Sequence, residues 1–204
     1  MPSERSSYAL PLSRKGDMNM KGKITMKILK AVTRSVAETD SLDSMAAYLA
    51  QRLVSSLDLK GCAIFFFNPD EKELELLASF GLSHVYLTKG PLLTDKSIGE
   101  TLKGEPIILQ DVSQHTALQY PEDARKEGIA AIASIPIIFS KEVIGVMRLY
   151  HHQVWDIAES DIDSLQILAE MIGVAMSYAR LRNAVQSVYE VVRKVCPMDP
   201  KPAC

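Results

Sequence analysis

The side chains with the widest chemical reach in this 204-residue chain are three cysteines and four histidines. Cys62 sits inside the apolar run from Gly61 to Phe67, where a thiol serves as a small core residue rather than as a nucleophile. Cys196 and Cys204 lie at the far end, and an odd, sparse set of this kind does not build a secreted disulfide framework. No Cys-x-x-Cys pair exists, so a structural zinc site is not expected. His115 lies in a polar excursion and is the histidine best placed for a haem or metal; with no second axial ligand evident it reads as a surface residue. His151 and His152 follow an apolar strand, and adjacent strand residues point to opposite faces, so the two are not expected to chelate one ion. Asp156, Glu159 and Asp161 cluster where a helix begins, a position that favours acids. Neither a Gly-x-x-x-x-Gly-Lys phosphate loop nor a Gly-x-Gly-x-x-Gly turn is present. No acid-base pair or activated nucleophile stands out, so the chain reads as a non-enzyme that needs no cofactor.

Composition narrows the class. The formal net charge is -2, which gives no field for nucleic acid. Charged residues make up 24% and hydrophobic residues 47%, as in a globular domain with a full core. No apolar run approaches the roughly 20 residues of a membrane span. Neither nucleic acid nor a membrane is expected as a partner, and the expected location is cytoplasmic.

The elements follow from periodicity. Residues 1–20 are polar and read as a disordered tail, and residues 197–204 as a flexible one. Residues 21–40 carry a helical stripe, Ile28, Leu29, Val32 and Val36, with a basic stripe beside it. Ser41 suits an N-cap for a helix bearing Leu42, Met45, Ala46, Leu49, Leu53 and Val54. Cys62–Phe67 and Glu73–Ser79 form a hairpin around Asn68-Pro69-Asp70-Glu71-Lys72, the second strand alternating through Leu74, Leu76 and Ala78. A less regular middle follows: a loop or short helix at 81–90, a short helix ending near Gly104, a short strand at 106–109, and an excursion over 111–128 with a helix from Glu122. Ala130–Phe139, carrying Pro136 at an edge or bulge, pairs with Val143–Tyr150 across Ser140-Lys141-Glu142. Ser160 then caps a long helix. Helices at both ends of two hairpins give an α+β sandwich, with an antiparallel sheet, the end helices on one face and the middle segment covering the other. A loosely fitting cover encloses a pocket.

The long helix carries an apolar seam at four-three spacing: Ile167, Met171, Val174, Tyr178, Leu181, Val185, Val188, Val192 and Val195. Over roughly 28 residues it runs about 42 Å, longer than a small domain is wide. A second stripe, Leu165, Leu168, Ile172, Ala175 and Ala179, lies on another face. One helix with two apolar faces needs two partners, its own domain and another chain. Met171, Val174, Tyr178, Leu181, Val185, Val188 and Val192 are therefore the expected interface of a homodimer. The stripe in residues 21–40 is expected to join it in a four-helix bundle, and residues 181–196 to extend it.

Four stretches in order resemble the GAF domain family over residues 41–180 or so. They are Gly61-Cys-Ala-Ile-Phe-Phe-Phe-Asn68; Ser97-Ile-Gly-Glu-Thr-Leu-Lys-Gly-Glu-Pro-Ile-Ile-Leu-Gln-Asp111; Gly128-Ile-Ala-Ala-Ile-Ala-Ser-Ile-Pro-Ile137 with Val143-Ile-Gly-Val-Met-Arg-Leu149; and Glu159-Ser-Asp-Ile162. The resemblance implies a homodimeric sensory module that binds an unidentified small molecule. Such a module signals through its end helices to a separate partner such as a kinase or transcription regulator. It also implies that Ala63 and Phe65 face the pocket, with Tyr86, Asp111, Tyr120, Ala131 and Ala133 as further ligand-binding candidates. The signature of the cyclic-nucleotide branch and the cysteine of the bilin branch are not matched. Two alternatives stay open: an enzyme resembling the free methionine sulfoxide reductases, with Cys62 as its one pocket cysteine, and a dimerisation scaffold whose pocket is filled by Phe65, Tyr86 and Tyr120.

Overall fold

Eight antiparallel residues on each side of one turn start the sheet. In the computed structural model, which describes residues 41–90, 92–93, 99–115 and 118–195 with positions 26, 28, 30, 33 and 34, β1 (Gly61–Asn68) pairs with β2 (Glu73–Phe80). Asn68 closes the turn by accepting the Asp70 and Glu71 backbone N–H groups on Oδ1 at 3.1 and 3.4 Å. The second hairpin joins β5 (Ala131–Phe139) to β6 (Glu142–His151) through Ser140 and Lys141, with φ of 52° and 70°. Two central residues at positive φ make a type I′ turn, whose twist suits a hairpin. Two short strands extend the pair of hairpins, β3 (Leu92–Leu93) beside β2 and β4 (Ile107–Leu109) beside β5. The result is one antiparallel six-stranded sheet in the order β3-β2-β1-β6-β5-β4.

Two irregularities decide which side chains face where. In the pairing of β1 with β2, Ile64 meets Ala78 but Phe65 meets Leu76, so Leu77 is an extra residue. The expected alternation through Leu74, Leu76 and Ala78 is broken there: Leu74 lies under the cover and Ala78 in the opposite core. Pro136 sits in an interior strand, yet β4 pairs with β5 only as far as Ser134. Beyond that point β5 is locally an edge, and a bulge follows between Ile137 and Ile138.

Helix α1 (Leu42–Leu57) and helix α4 (Glu159–Val195) lie on one face. Ser41 caps α1 by accepting the Ser44 N–H, and Asp58 ends it in a left-handed conformation. Helix α4 begins at Glu159 rather than after Ser160. Ala158 O accepts from Asp161 N and Ile162 N, while Ser160 lies within the first turn and its carbonyl accepts the Ser164 hydroxyl. Met45, Ala46, Leu49 and Leu53 of α1 and Leu165, Leu168, Ala169, Ile172 and Met176 of α4 close over Cys62, Ile64, Ala133, Ile135, Ile137, Met147 and Leu149. Ile28 joins this core. Gly173 lets α4 approach β5: a Cβ there would stand 2.6 Å from the Ile138 carbonyl oxygen. Most of residues 21–40, and Ser97, Ile98, Cys196 and both expected tails, lie outside the described residues.

The other face is covered by short pieces: α2 (His84–Leu87), 3₁₀ turns at Thr101–Lys103 and Val112–Gln114, and α3 (Pro121–Glu127). Proline at the first position of α3 moves its start one residue before Glu122, because that position has no N–H to satisfy. No described helix is long and apolar enough to cross a membrane.

Candidate functional site

The cover is pinned by Glu127 at the end of α3. Its carboxylate accepts the Ser83 N–H at 2.9 Å and the Ser83 hydroxyl, and pairs with Lys60 at 3.2 Å. Burial works to raise its pKa, but the Ser83 hydrogen bonds and Lys60 outweigh that and keep it ionised. Ser83 also caps α2 by accepting the Tyr86 N–H at 3.1 Å. Tyr86 is thereby turned onto the sheet, where its ring meets Tyr150 edge-on with centroids 5.7 Å apart. Lys89, one turn on, donates to the Tyr86 carbonyl at 2.8 Å and lies 3.6 Å from the centroid of its ring.

Between this cover and the sheet lies a cavity of about 180 Å³, walled by Phe65, Leu74, Leu76, Tyr86, Leu87, Lys89, Gly90, Leu92 and Tyr150. Its wall is part apolar and part polar, with Lys89 as the charged member. Burial, then the charge of Arg148, bring the pKa of Lys89 down to about 8. Burial pushes the Tyr86 and Tyr150 phenols upward, so both stay protonated. Arg148 is 1% exposed and stands two residues before Tyr150 on the same face of β6. Its Nε donates to the Ser134 hydroxyl at 3.1 Å, and its guanidinium carbon is 5.6 Å from the centre of the Tyr150 ring.

The seven expected ligand-binding residues fall into different places. Phe65 and Tyr86 wall the cavity, and Ala63 is buried in the same cluster. Tyr120 packs at its margin, with Lys89 5.5 Å from its ring. Asp111 is elsewhere, in an open groove with Ser113, His115, Arg125 and Val154. There it accepts from Ser113 N, Ser113 Oγ and Gln114 Nε2 at 2.9, 2.6 and 2.9 Å, bonds that lower its pKa and cap a 3₁₀ turn. Ala131 and Ala133 do not face the cavity. Ala133 lies in the helix-side core, and alternation along β5 puts Ala131 on that face too, so Ile132 and Ser134 are the residues that point to the cover. The expectation had the strand right and its parity inverted. The seven do not include Lys89 and Tyr150, which also wall the cavity, or the buried pair Arg148 and Ser134. Their one signal in the sequence is a lone arginine within Val143–Tyr150, an otherwise apolar strand.

Cys62 lies with α1 and α4, fully buried, and burial drives its thiol pKa far up. It is a core residue away from the cavity, and not a thiolate. The rings of His151 and His152 stack with centroids 4.7 Å apart, because β6 ends at His151 and alternation no longer separates them. Among the described residues no group of three or more histidine, cysteine or acidic side chains is arranged to hold a metal.

On α4 the two stripes separate along the helix. Leu165, Leu168, Ile172 and Ala175 are buried, whereas Ile167, Val174, Tyr178, Leu181, Val185, Val188, Val192 and Val195 are exposed. Met171 is intermediate and packs against the helix-side core. Every residue from 181 to 195 is exposed, so α4 leaves its own domain near Arg180, whose guanidinium lies 3.6 Å from the centroid of the Phe66 ring.

Known proteins share this arrangement. A phosphoenolpyruvate-dependent phosphotransferase system protein of Escherichia coli K12 is 23% identical over 155 residues, 75% of this chain but 21% of that protein, so the chain spans about a fifth of the length of this relative. The GAF domain of a phosphoenolpyruvate-protein phosphotransferase from Coxiella burnetii superposes with a TM-score of 0.70 at 25% identity, covering 78% of this chain and 96% of that one. The free methionine-R-sulfoxide reductase of Neisseria meningitidis, solved with its substrate, shares the fold at a TM-score of 0.66 and 16% identity over 77% of this chain and 90% of that one. GAF domains are sensory and regulatory modules of signalling proteins. An antiparallel sheet with terminal helices on one face and a broken cover on the other is thus joined by a match to the GAF domain family model over residues 39–177, and this chain belongs to the GAF domain family.

Proposed function

We propose that the chain is a homodimeric sensory module that takes a small molecule between its sheet and cover and passes the change along α4 to a partner such as a kinase or a transcription regulator. The observation that carries this reading is the exposed apolar row on α4. Val174, Tyr178, Leu181, Val185, Val188, Val192 and Val195 recur every four and three residues, and most lie beyond the last contact with the domain. A spacing of 3.5 is the signature of a helix that coils against another helix, and a second copy of α4 offers the matching row. At ~1.5 Å per residue, α4 is about 56 Å long. A shift at its domain-bound half would therefore reach far from the cleft. Val191 and Tyr189 are exposed on the shoulders of the row, so further helices are expected to cover it, and the segment of residues 21–40 is the candidate. A cytoplasmic setting agrees with the sparse cysteines.

The double change Leu181→Asp, Val188→Asp puts four carboxylates into the seam of a dimer, where burial without partners is costly. Sedimentation at micromolar concentration is expected to give a wild-type dimer and a mutant monomer with unchanged near-ultraviolet circular dichroism. A monomeric wild type, or a mutant that still dimerises, would mean that the row serves another contact.

A further inference from the structure

Among the described residues Arg148 is the charged side chain that is fully buried. An arginine does not lose its proton in a protein, so its charge must be met where it lies. Isolating a guanidinium in an apolar core costs several kcal/mol unless a counter-charge and hydrogen bonds replace water. Here Nε reaches the Ser134 hydroxyl and the Tyr150 ring lies alongside, but Nη2 is buried with no hydrogen-bond partner. The ion pairs among the described residues are Lys60–Glu127, Lys103–Glu100 and Arg125–Glu122, and none includes Arg148.

Two further observations lie on the same covered face. The hydroxyl of Thr101, in a 3₁₀ turn that packs on β5 and β6, is also buried without a partner. The Lys89 ammonium borders the cavity close enough to Arg148 for the two charges to repel, and the acids that act on it from α3 are Asp123 and Glu127. Glu127 is already engaged by Lys60 and Ser83. The covered face thus holds two cations, Lys89 in the cavity wall and Arg148 buried near it, the second with an orphan N–H. A negative charge beside Lys89 would offset the repulsion from Arg148 and supply the counter-charge that the guanidinium lacks.

We infer that the cleft binds a small organic anion, its charge met by the Lys89 ammonium in the wall and by the Arg148 guanidinium buried behind Tyr150, and its compact body held by Phe65, Leu74 and Leu92. This rests on the reading of the cleft as a ligand site. Size sets the class: a cavity of about 150 Å³ takes a benzene ring, so about 180 Å³ suits a short carboxylate or phosphate rather than a nucleotide. Arg148 would then be retained for binding at a cost in stability, as at other functional sites.

The test uses the full chain at fixed ionic strength, with benzoate, succinate and inorganic phosphate as anions and benzamide and succinamide as neutral counterparts, followed by calorimetric titration and thermal unfolding. At least one anion is expected to bind and raise the unfolding temperature by several degrees, with its amide at least tenfold weaker. Arg148→Met, close in volume, is expected to abolish the anion effect and to unfold no lower than wild type when no anion is present. Lys89→Met, at the cavity rim, is expected to weaken the anion about tenfold in a chain that folds normally. Equal binding of acid and amide would overturn the anion and leave the ligand cleft standing. Binding by none of the five probes would overturn the anion proposal, and a molecule carried through purification and seen by native mass spectrometry would then decide whether the cleft binds at all. An Arg148→Met protein less stable than wild type without anion would show that the guanidinium is structural.

Discussion

One sheet presents two opposite surfaces. Toward α1 and α4 it shows Cys62, Ile64, Ala133, Ile135, Ile137, Met147 and Leu149, with no charged member. Toward the cover it shows Ala63, Phe65, Ile132, Ser134, Val146, Arg148 and Tyr150, roofed by short segments that leave a cavity. The first surface is met by two long helices with continuous apolar stripes; the second by pieces of three to seven residues. Short pieces bury little area each, so local opening is expected at the cover and the larger share of stability on the helix side. The same strands serve both, because a period of two lets one sequence carry two programmes.

Truncation on the helix face is the strongest way to expose the contrast. Leu168→Ala, at a fully buried position, is expected to cost about 2–5 kcal/mol, whereas Leu92→Ala under the cover should cost about 1–2 kcal/mol, both read from denaturant midpoints. Equal losses would remove the distinction between the two faces. Gly173→Ala should come next, destabilising by about 1–3 kcal/mol despite alanine's better helix propensity, because the new methyl meets the Ile138 carbonyl; a more stable variant would show that α4 can lift from β5 freely.

The cover can be separated from the helix face by pH. In the folded chain Lys89 gives up its proton near pH 8, against an ordinary value of 10.5. Between those values the unfolded chain binds the extra proton, so Lys89 contributes stability that rises from about pH 8 toward pH 10. Tyr86, held protonated by burial, acts the opposite way once an unfolded tyrosine ionises near pH 10. Anion affinity should fall over the same rise in pH, as the ammonium is lost. Thermal unfolding of wild type and Lys89→Met across pH 7–10 checks the sign: the wild type gains on the mutant as pH rises. The smallest effect concerns neither face. Ser140→Asn with Lys141→Gly should stabilise the second hairpin by about 1 kcal/mol, since both positions have positive φ. The ligand response should not change.

Much of this was legible in the residues themselves. Ser41 and the apolar spacing behind it determined α1; the turn around Asn68 and the Ser140-Lys141 pair determined two hairpins; the two stripes of α4 set its buried and exposed lengths. All are local signals, in which neighbouring residues agree about dihedral angles or about which side is apolar. Tertiary structure alone decided the parity of β5 and β2. Every residue in Ala131–Ile135 except Ser134 is apolar, so hydrophobicity does not say which side meets the helices, and the bulge at Leu77 reversed an alternation that read as continuous. Whereas β4 was expected at 106–109, the edge strand β3 was equally silent, since two residues carry no period. So was the charge near the cavity: Arg148 and Lys89 lie 59 positions apart and feel each other's charge only because α2 packs over β6. A cavity drawn from distant segments is fixed by packing, and packing is what a single chain of letters records last.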